Sequence, residues 1–178
     1  QPPDRLTDEE AAQVAALEAP YGFVCRLALG TGLRWGELCR AQASDMKRVR
    51  VAGSGDEQRY LEVAHTKSKR VRRVPLSPEL ADELRGRVGR LVPYATGSPG
   101  SFATRVRRLT GIEGFHVHRM RHTMACQWLE RGGSLAALQQ VLGHASITTT
   151  QRYAKLSDEA VMREATRLQE WSAEGGNR

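Results

Sequence analysis

Apolar and polar positions recur along this chain with two different periods. A helical period of about 3.6 residues opens the chain, a period of two replaces it near residue 46, and the helical period returns near residue 77. Thr7 followed by Glu10 has the form of a capping box and predicts a helix over residues 8–18. A second helical run spans Tyr21 to Leu29 and stops at the GTG of residues 30–32. A third begins near Leu33, with Leu33, Leu38 and Ala41 as its apolar positions. MKRVRVA, YLEVAHTK and KRVRRVPL are rich in β-formers, and GSGDEQ and a tight SK step punctuate them. They predict a small three-stranded antiparallel sheet.

From Ser77 the pattern is helical again. Ser77-Pro78-Glu79 supplies an N-cap with proline in the first turn, and the helix is expected to run to about Leu91. PYATGSPG reads as a loop and SFATRVRRLTG as a short basic helix. A helix from His118 to Glu130 is closed by RGG, and Ser134 caps another that ends at Gly143. After Ser157 a last amphipathic helix, about 158–171, carries Val161, Ala165, Leu168 and Trp171 near one stripe. AEGGNR reads as a disordered tail. The expected fold is α+β and mainly α, a single helical domain over residues 1–178 with one small sheet.

Composition narrows the partners. Hydrophobic residues make up 40% of the 178, enough for one domain with a core rather than a disordered chain. No apolar run could span a bilayer and no leader segment opens the chain, so no membrane partner is expected. The net charge of +7 favours a polyanion, most simply nucleic acid. Cys25, Cys39 and Cys126 are odd in number and form no CxxC, which argues against a disulfide framework and a zinc knuckle. They read as small core fillers in a reducing, cytosolic setting.

Several polar residues could do chemistry. In TGLRWGEL, Arg34 stands at a helix start with Glu37 one turn on to hold its guanidinium. In HVHRMRHT, His118 and Arg121 share a helix face. His118 and His122 have zinc spacing, but no third ligand accompanies them and the neighbouring arginines would repel a dication. TKSKRVRRVPL places Lys67 and Lys69 at a hairpin tip. GSGDEQ lacks the GK[ST] of a phosphate-binding loop, which argues against a nucleotide triphosphatase. Tyr153, at the end of LGHASITTTQRYAK, is either a packed aromatic or a nucleophile. Arginines, lysine, histidines and a tyrosine together suit transesterification of a phosphodiester. Bidentate arginines stabilise the charge that grows on the non-bridging oxygens. A phenol of unperturbed pKa near ~10 needs a base or a cationic field to attack. The departing sugar oxygen needs a proton donor. Such a site needs no metal and no cofactor.

TGLRWGEL, TKSKRVRRVPL, HVHRMRHT and LGHASITTTQRY, in that order, resemble the catalytic-domain motifs of the tyrosine recombinases, the phage integrase family. The resemblance covers about residues 21–155. It implies that Arg34 and Arg121 clamp the scissile phosphate and that Lys67, with Lys69 as the alternative, protonates the leaving 5′ oxygen. His118 would act as acid and base near the tyrosine, and His144 would hydrogen-bond the phosphate. Tyr153 would attack to give a 3′-phosphotyrosyl link, with Glu37 supporting Arg34. The covalent link stores the energy of the broken bond, so rejoining needs neither ATP nor metal. Lys69, Arg70, Arg105, Arg107, Arg108 and Arg119 are expected to contact the DNA backbone. His116 and His122 match no catalytic position, and His122 is expected in the core or behind the site.

The implied partners are double-stranded DNA attachment sites in a bacterial cytoplasm. The resemblance implies a homotetramer on paired sites, admits a monomer without DNA, and makes DNA-bending accessory factors further candidates. The family usually carries a helical DNA-binding domain ahead of the catalytic one. None is legible before Tyr21, so the chain reads either as a trimmed catalytic domain or as a minimal integrase. The implied role is phage or mobile-element integration and excision. Chromosome-dimer resolution, or relaxation of the type IB topoisomerase kind, stands as the alternative.

Overall fold

The computed structural model describes residues 4–64, 71–143 and 162. Among them are seven α-helices and one three-stranded sheet, as the pattern predicts. Helix α1 (Asp8–Ala15) is closed at its N-terminus by the expected capping box: the Glu10 amide donates to Thr7 Oγ1 and the Thr7 amide to Glu10 Oε2. It ends three residues earlier than the sequence suggests. Helix α2 (Tyr21–Thr31) runs two residues longer, because Gly30 is accommodated within it and Gly32, at φ 64°, makes the stop. Its side chains from Phe23 to Ala28 are mostly buried against α1 and α6.

After the short α3 (Trp35–Arg40) come β1 (Met46–Arg50), β2 (Glu57–Ala64) and β3 (Val71–Pro75), antiparallel in the order β1-β2-β3. Met46 and Val74 flank Leu61 in register, and Val63 stands opposite Arg72. Leu61, Val63 and Val74 enter the core while most of β1 faces solvent.

Helix α4 (Pro78–Leu84) is seven residues shorter than predicted. Arg85 turns extended and Gly86 takes φ 78°. The chain from Gly86 to Leu91 instead runs beside the exit of α3, with the Leu91 amide donating to Ala41 O at 2.9 Å and the Ala43 amide to Gly89 O at 2.8 Å. Apolar Leu91 and Val92 mimic a helical repeat in the sequence but are buried from this extended segment. Helices α5 (Pro99–Thr110), α6 (Val117–Glu130) and α7 (Leu135–Leu142) complete the described fold. Helix α6 packs on α2, and α7 on β3 and α6. Phe102, Phe115, Met120, Leu129 and Leu138 fill the centre.

The three cysteines are free and buried, as their apolar neighbours suggest. No described helix is long and apolar enough to cross a membrane. The hairpin tip with Lys67, Lys69 and Arg70, the segment with His144 and Tyr153, and the C-terminal helix and tail other than Met162 lie outside the described residues.

Candidate active site

Three elements meet where the sequence predicts chemistry. The first is the corner between α2 and α3. Gly32 turns the chain there, and a side chain on it would run into Leu142 of α7 at 2.8 Å and Met124 of α6 at 3.0 Å. Two residues on, Arg34 is the N-cap of α3 in extended conformation. Glu37 reaches back so that its Oε2 accepts the Arg34 amide at 2.8 Å, capping the helix with a carboxylate where the macrodipole favours one.

The second element is α6. Arg121 is buried, at 3% exposure, and lies on the helix between buried Met120 and half-buried His122. Its Nη1 donates to Gly32 O at 2.6 Å and its Nη2 to Leu142 O at 2.8 Å. These carbonyls belong to the last turns of α2 and α7, which the helices themselves leave unpaired. One guanidinium therefore ties three helix segments together and carries its charge to the point where α7 ends. His118, one turn before Arg121, is exposed, and its ring meets that of His122 edge-on at 4.8 Å.

The third element is β3. Arg72 extends from it to Glu37, Nη1 to Oε1 at 2.9 Å and Nη2 to Oε2 at 2.8 Å, while its Nε donates to Val141 O at 2.8 Å. Arg34 adds a longer contact, Nη1 to Glu37 Oε1 at 3.3 Å. Burial alone would raise the Glu37 pKa and is the largest single influence on it. The Arg72 hydrogen bonds, the Arg34 amide and the two positive charges together outweigh that, and the carboxyl is held below its ordinary value. It is therefore an anion at neutral pH, buried but paired.

Arg72 is the residue that the motif reading passes over. Its signal lies in the strand period: Val74 and Leu76 point inward, so Arg72 must too. A basic residue at an inward position needs an acid to meet it, and Glu37 is that acid.

The structure thus brings Arg34, Glu37 and Arg121 together, with His118 on the same helix as Arg121. Arg105 and Arg108 are exposed on α5, and Arg107 is half-buried with Nη2 on Thr104 Oγ1 at 3.0 Å. Arg119 behaves differently. Its side chain is only 13% exposed, with Nη2 on Arg5 O at 2.7 Å, and it forms ion pairs with Asp4 and Glu10. Its Nε lies 3.0 Å from Asp4 Oδ1 but out of line for a hydrogen bond. Arg119 fastens the N-terminal segment to α6 instead of facing outward. His116, the N-cap of α6, joins it by contacting Asp4 Oδ2 at 2.8 Å. Among the described residues no three His, Cys, Asp or Glu side chains cluster as metal ligands would.

The model of the phage integrase family matches residues 5–160. The integrase of Haemophilus phage HP1 is 33% identical over 133 residues, which make up 75% of this chain and 36% of that protein. The tyrosine recombinase XerC of Corynebacterium glutamicum is 30% identical over 146 residues, 78% of this chain and 47% of that protein. The chain thus spans between a third and a half of the curated relatives it matches here. The solved structure of the catalytic domain of bacteriophage HP1 integrase superposes with a TM-score of 0.67 at 28% identity, covering 91% of this chain and 93% of that chain.

Proposed function

The chain belongs to the phage integrase family, and from that premise we propose that it is the catalytic domain of a site-specific DNA recombinase that integrates and excises phage or mobile-element DNA. The observation that carries the proposal is the convergence of Arg34, Glu37 and Arg121 at the end of α7, directly before His144 in the chain. Positive charge held rigidly by buried partners is what a phosphate undergoing substitution requires, because the donors are already oriented when charge develops.

In the proposed reaction the Tyr153 hydroxyl attacks a phosphorus of the DNA backbone and the bond to the 5′ oxygen breaks. The phenolic proton passes to His118, and Lys67 or Lys69 protonates the leaving 5′ oxygen. Arg34 and Arg121 stabilise the non-bridging oxygens, and His144 adds a hydrogen bond. The product is a 3′-phosphotyrosyl bond and a free 5′ hydroxyl. Attack by the 5′ hydroxyl of a second duplex reverses the step and joins new partners, with no metal or ATP. The partners would be double-stranded attachment sites, bound by four copies of the protein across two duplexes in a bacterial cytoplasm and assisted by DNA-bending factors. The compared relatives are integrases and recombinases, so relaxation without exchange is the less supported reading.

Strand exchange tests it. Two distinguishable duplexes carrying the attachment site, incubated with the protein in EDTA, should yield recombinant duplexes. Relaxed supercoils with no recombinant product would assign the chain to relaxation instead.

A further inference from the structure

Glu37 has two arginine partners and serves them unequally. Arg72 takes both carboxylate oxygens in parallel at 2.9 and 2.8 Å, whereas the side chain of Arg34 has one contact, at 3.3 Å. The Arg72 side chain is 12% exposed and that of Arg34 39%. A buried carboxylate gains most from the guanidinium that completes the two-pronged pair. We propose that Arg72 is a positioning residue that occupies the fork of Glu37 and so keeps Glu37 from closing a bidentate pair with Arg34. The charge and outer N–H groups of Arg34 then stay available for phosphate. That the phosphate belongs to DNA rests on the recombinase reading; the competition for Glu37 does not.

The local packing fits this role. Arg72 is anchored from behind, since its Nε donates to Val141 O. Gly143, at φ 66°, lies so close that an added side chain would come within 3.0 Å of Arg72 Cδ and 3.1 Å of Cζ. Arg72 therefore cannot follow Glu37 outward without moving the end of α7. Arg34 is held at its backbone, through the amide that caps α3, and at its side chain by the one 3.3 Å contact. Its side chain is the more exposed and more loosely paired partner, and the one that Glu37 would capture if Arg72 were gone. A captured Arg34 has its charge cancelled and two of its N–H groups turned away from the substrate.

Three variants test this: Arg72→Gln, Glu37→Gln and the double substitution. The first readout needs no DNA. Folded protein is labelled with phenylglyoxal and the modification of Arg34 is followed by peptide mass spectrometry. Arg72→Gln should slow labelling of Arg34, and adding Glu37→Gln should restore it. The second readout is single-turnover covalent trapping on a nicked duplex. Arg72→Gln should lose roughly 10²-fold in cleavage rate, the scale of a mispositioned reacting group, at unchanged DNA affinity. Glu37→Gln should recover about tenfold in that background, although it slows the otherwise unaltered chain. A purely structural Arg72 would instead make the two losses additive. Arg72→Lys keeps the charge without the fork, should fall between, and replaces Arg72→Gln if the latter does not fold. Equal Arg34 labelling in all variants, or a double variant no faster than Arg72→Gln, overturns the inference. The expected labelling in a protein that traps no duplex would sink the recombinase reading and uphold the competition.

Discussion

Replacing Arg121 by lysine should damage the fold far more than the same replacement at Arg34, although both are assigned to the same phosphate. Arg121 is 3% exposed and donates to two carbonyls, Gly32 O and Leu142 O, at separate helix ends. A lysine ammonium cannot span both. One carbonyl would be left buried without a donor, at about 1–3 kcal/mol, and the surviving bond would be less well aligned, for a total of roughly 2–4 kcal/mol. Arg34 has a half-exposed side chain with one 3.3 Å contact, and losing it should cost about 0.5 kcal/mol or less. In a domain of this size each kcal/mol shifts Tm by about 2–4 °C, so Arg121→Lys should melt roughly 5–15 °C lower and Arg34→Lys within about 2 °C of the unsubstituted chain. Thermal melts followed by circular dichroism measure this. Single-turnover cleavage, corrected for the folded fraction, should fall about 10²–10³-fold in both, by analogy with removal of one oxyanion donor. Equal small shifts in Tm would refute the anchoring role drawn from the two carbonyls. A destabilised Arg121→Lys that cleaves normally would refute its place on the phosphate.

Arg105→Ala and Arg108→Ala, on the exposed side of α5, should each reduce the slope of log K against log salt by about 0.9, whereas Arg119→Ala should lower Tm and leave the slope alone; fluorescence anisotropy over a salt series decides, and a slope change at Arg119 would return it to the DNA surface. Glu37 has a folded pKa below its ordinary value of 4.5, so its stabilisation is complete above that value and is lost as pH falls through the lowered one. The urea midpoint should therefore drop on acidification below 4.5, and Glu37→Gln should remove part of that drop; an unchanged profile would count against the pairing. Burial pushes the Cys25 thiol up to about 12 against a smaller opposing effect of Arg26, so Cys25 should resist a thiol-specific disulfide reagent near pH ~8 until the chain unfolds; rapid reaction in the native state would show that the site opens.

The elements were legible where pattern and punctuation agree. Thr7 with Glu10, Ser134 before α7 and Gly143 after it each mark a boundary through a hydrogen bond or a backbone conformation that only a few residue types supply. The α4 boundary was misread because Leu91 and Val92 continue a helical repeat, while their true cover comes from an extended segment tied to Ala41. That tie joins residues distant in sequence, which no local pattern contains. Arg34, Glu37 and Arg121 stand at positions that motifs mark, and the structure brings them together. Arg72 was hidden because RVRRVPL offers three arginines, and only the inward positions of Val74 and Leu76 tell which one is buried. Arg119 was assigned to DNA from its charge alone. Its partners Asp4 and Glu10 lie more than a hundred residues away, and sequence reading had no means to pair them.

A tyrosine of this chain should become joined to DNA. A pool of nicked duplexes, incubated with the protein in EDTA and recovered under denaturing conditions, measures that directly. The expected product is a covalent adduct that maps by mass spectrometry to Tyr153, carries the 3′ phosphate of the cleaved strand, and disappears in Tyr153→Phe while DNA binding persists. An adduct at another residue, a 5′ linkage, or cleavage that appears only when Mg²⁺ is added would contradict it.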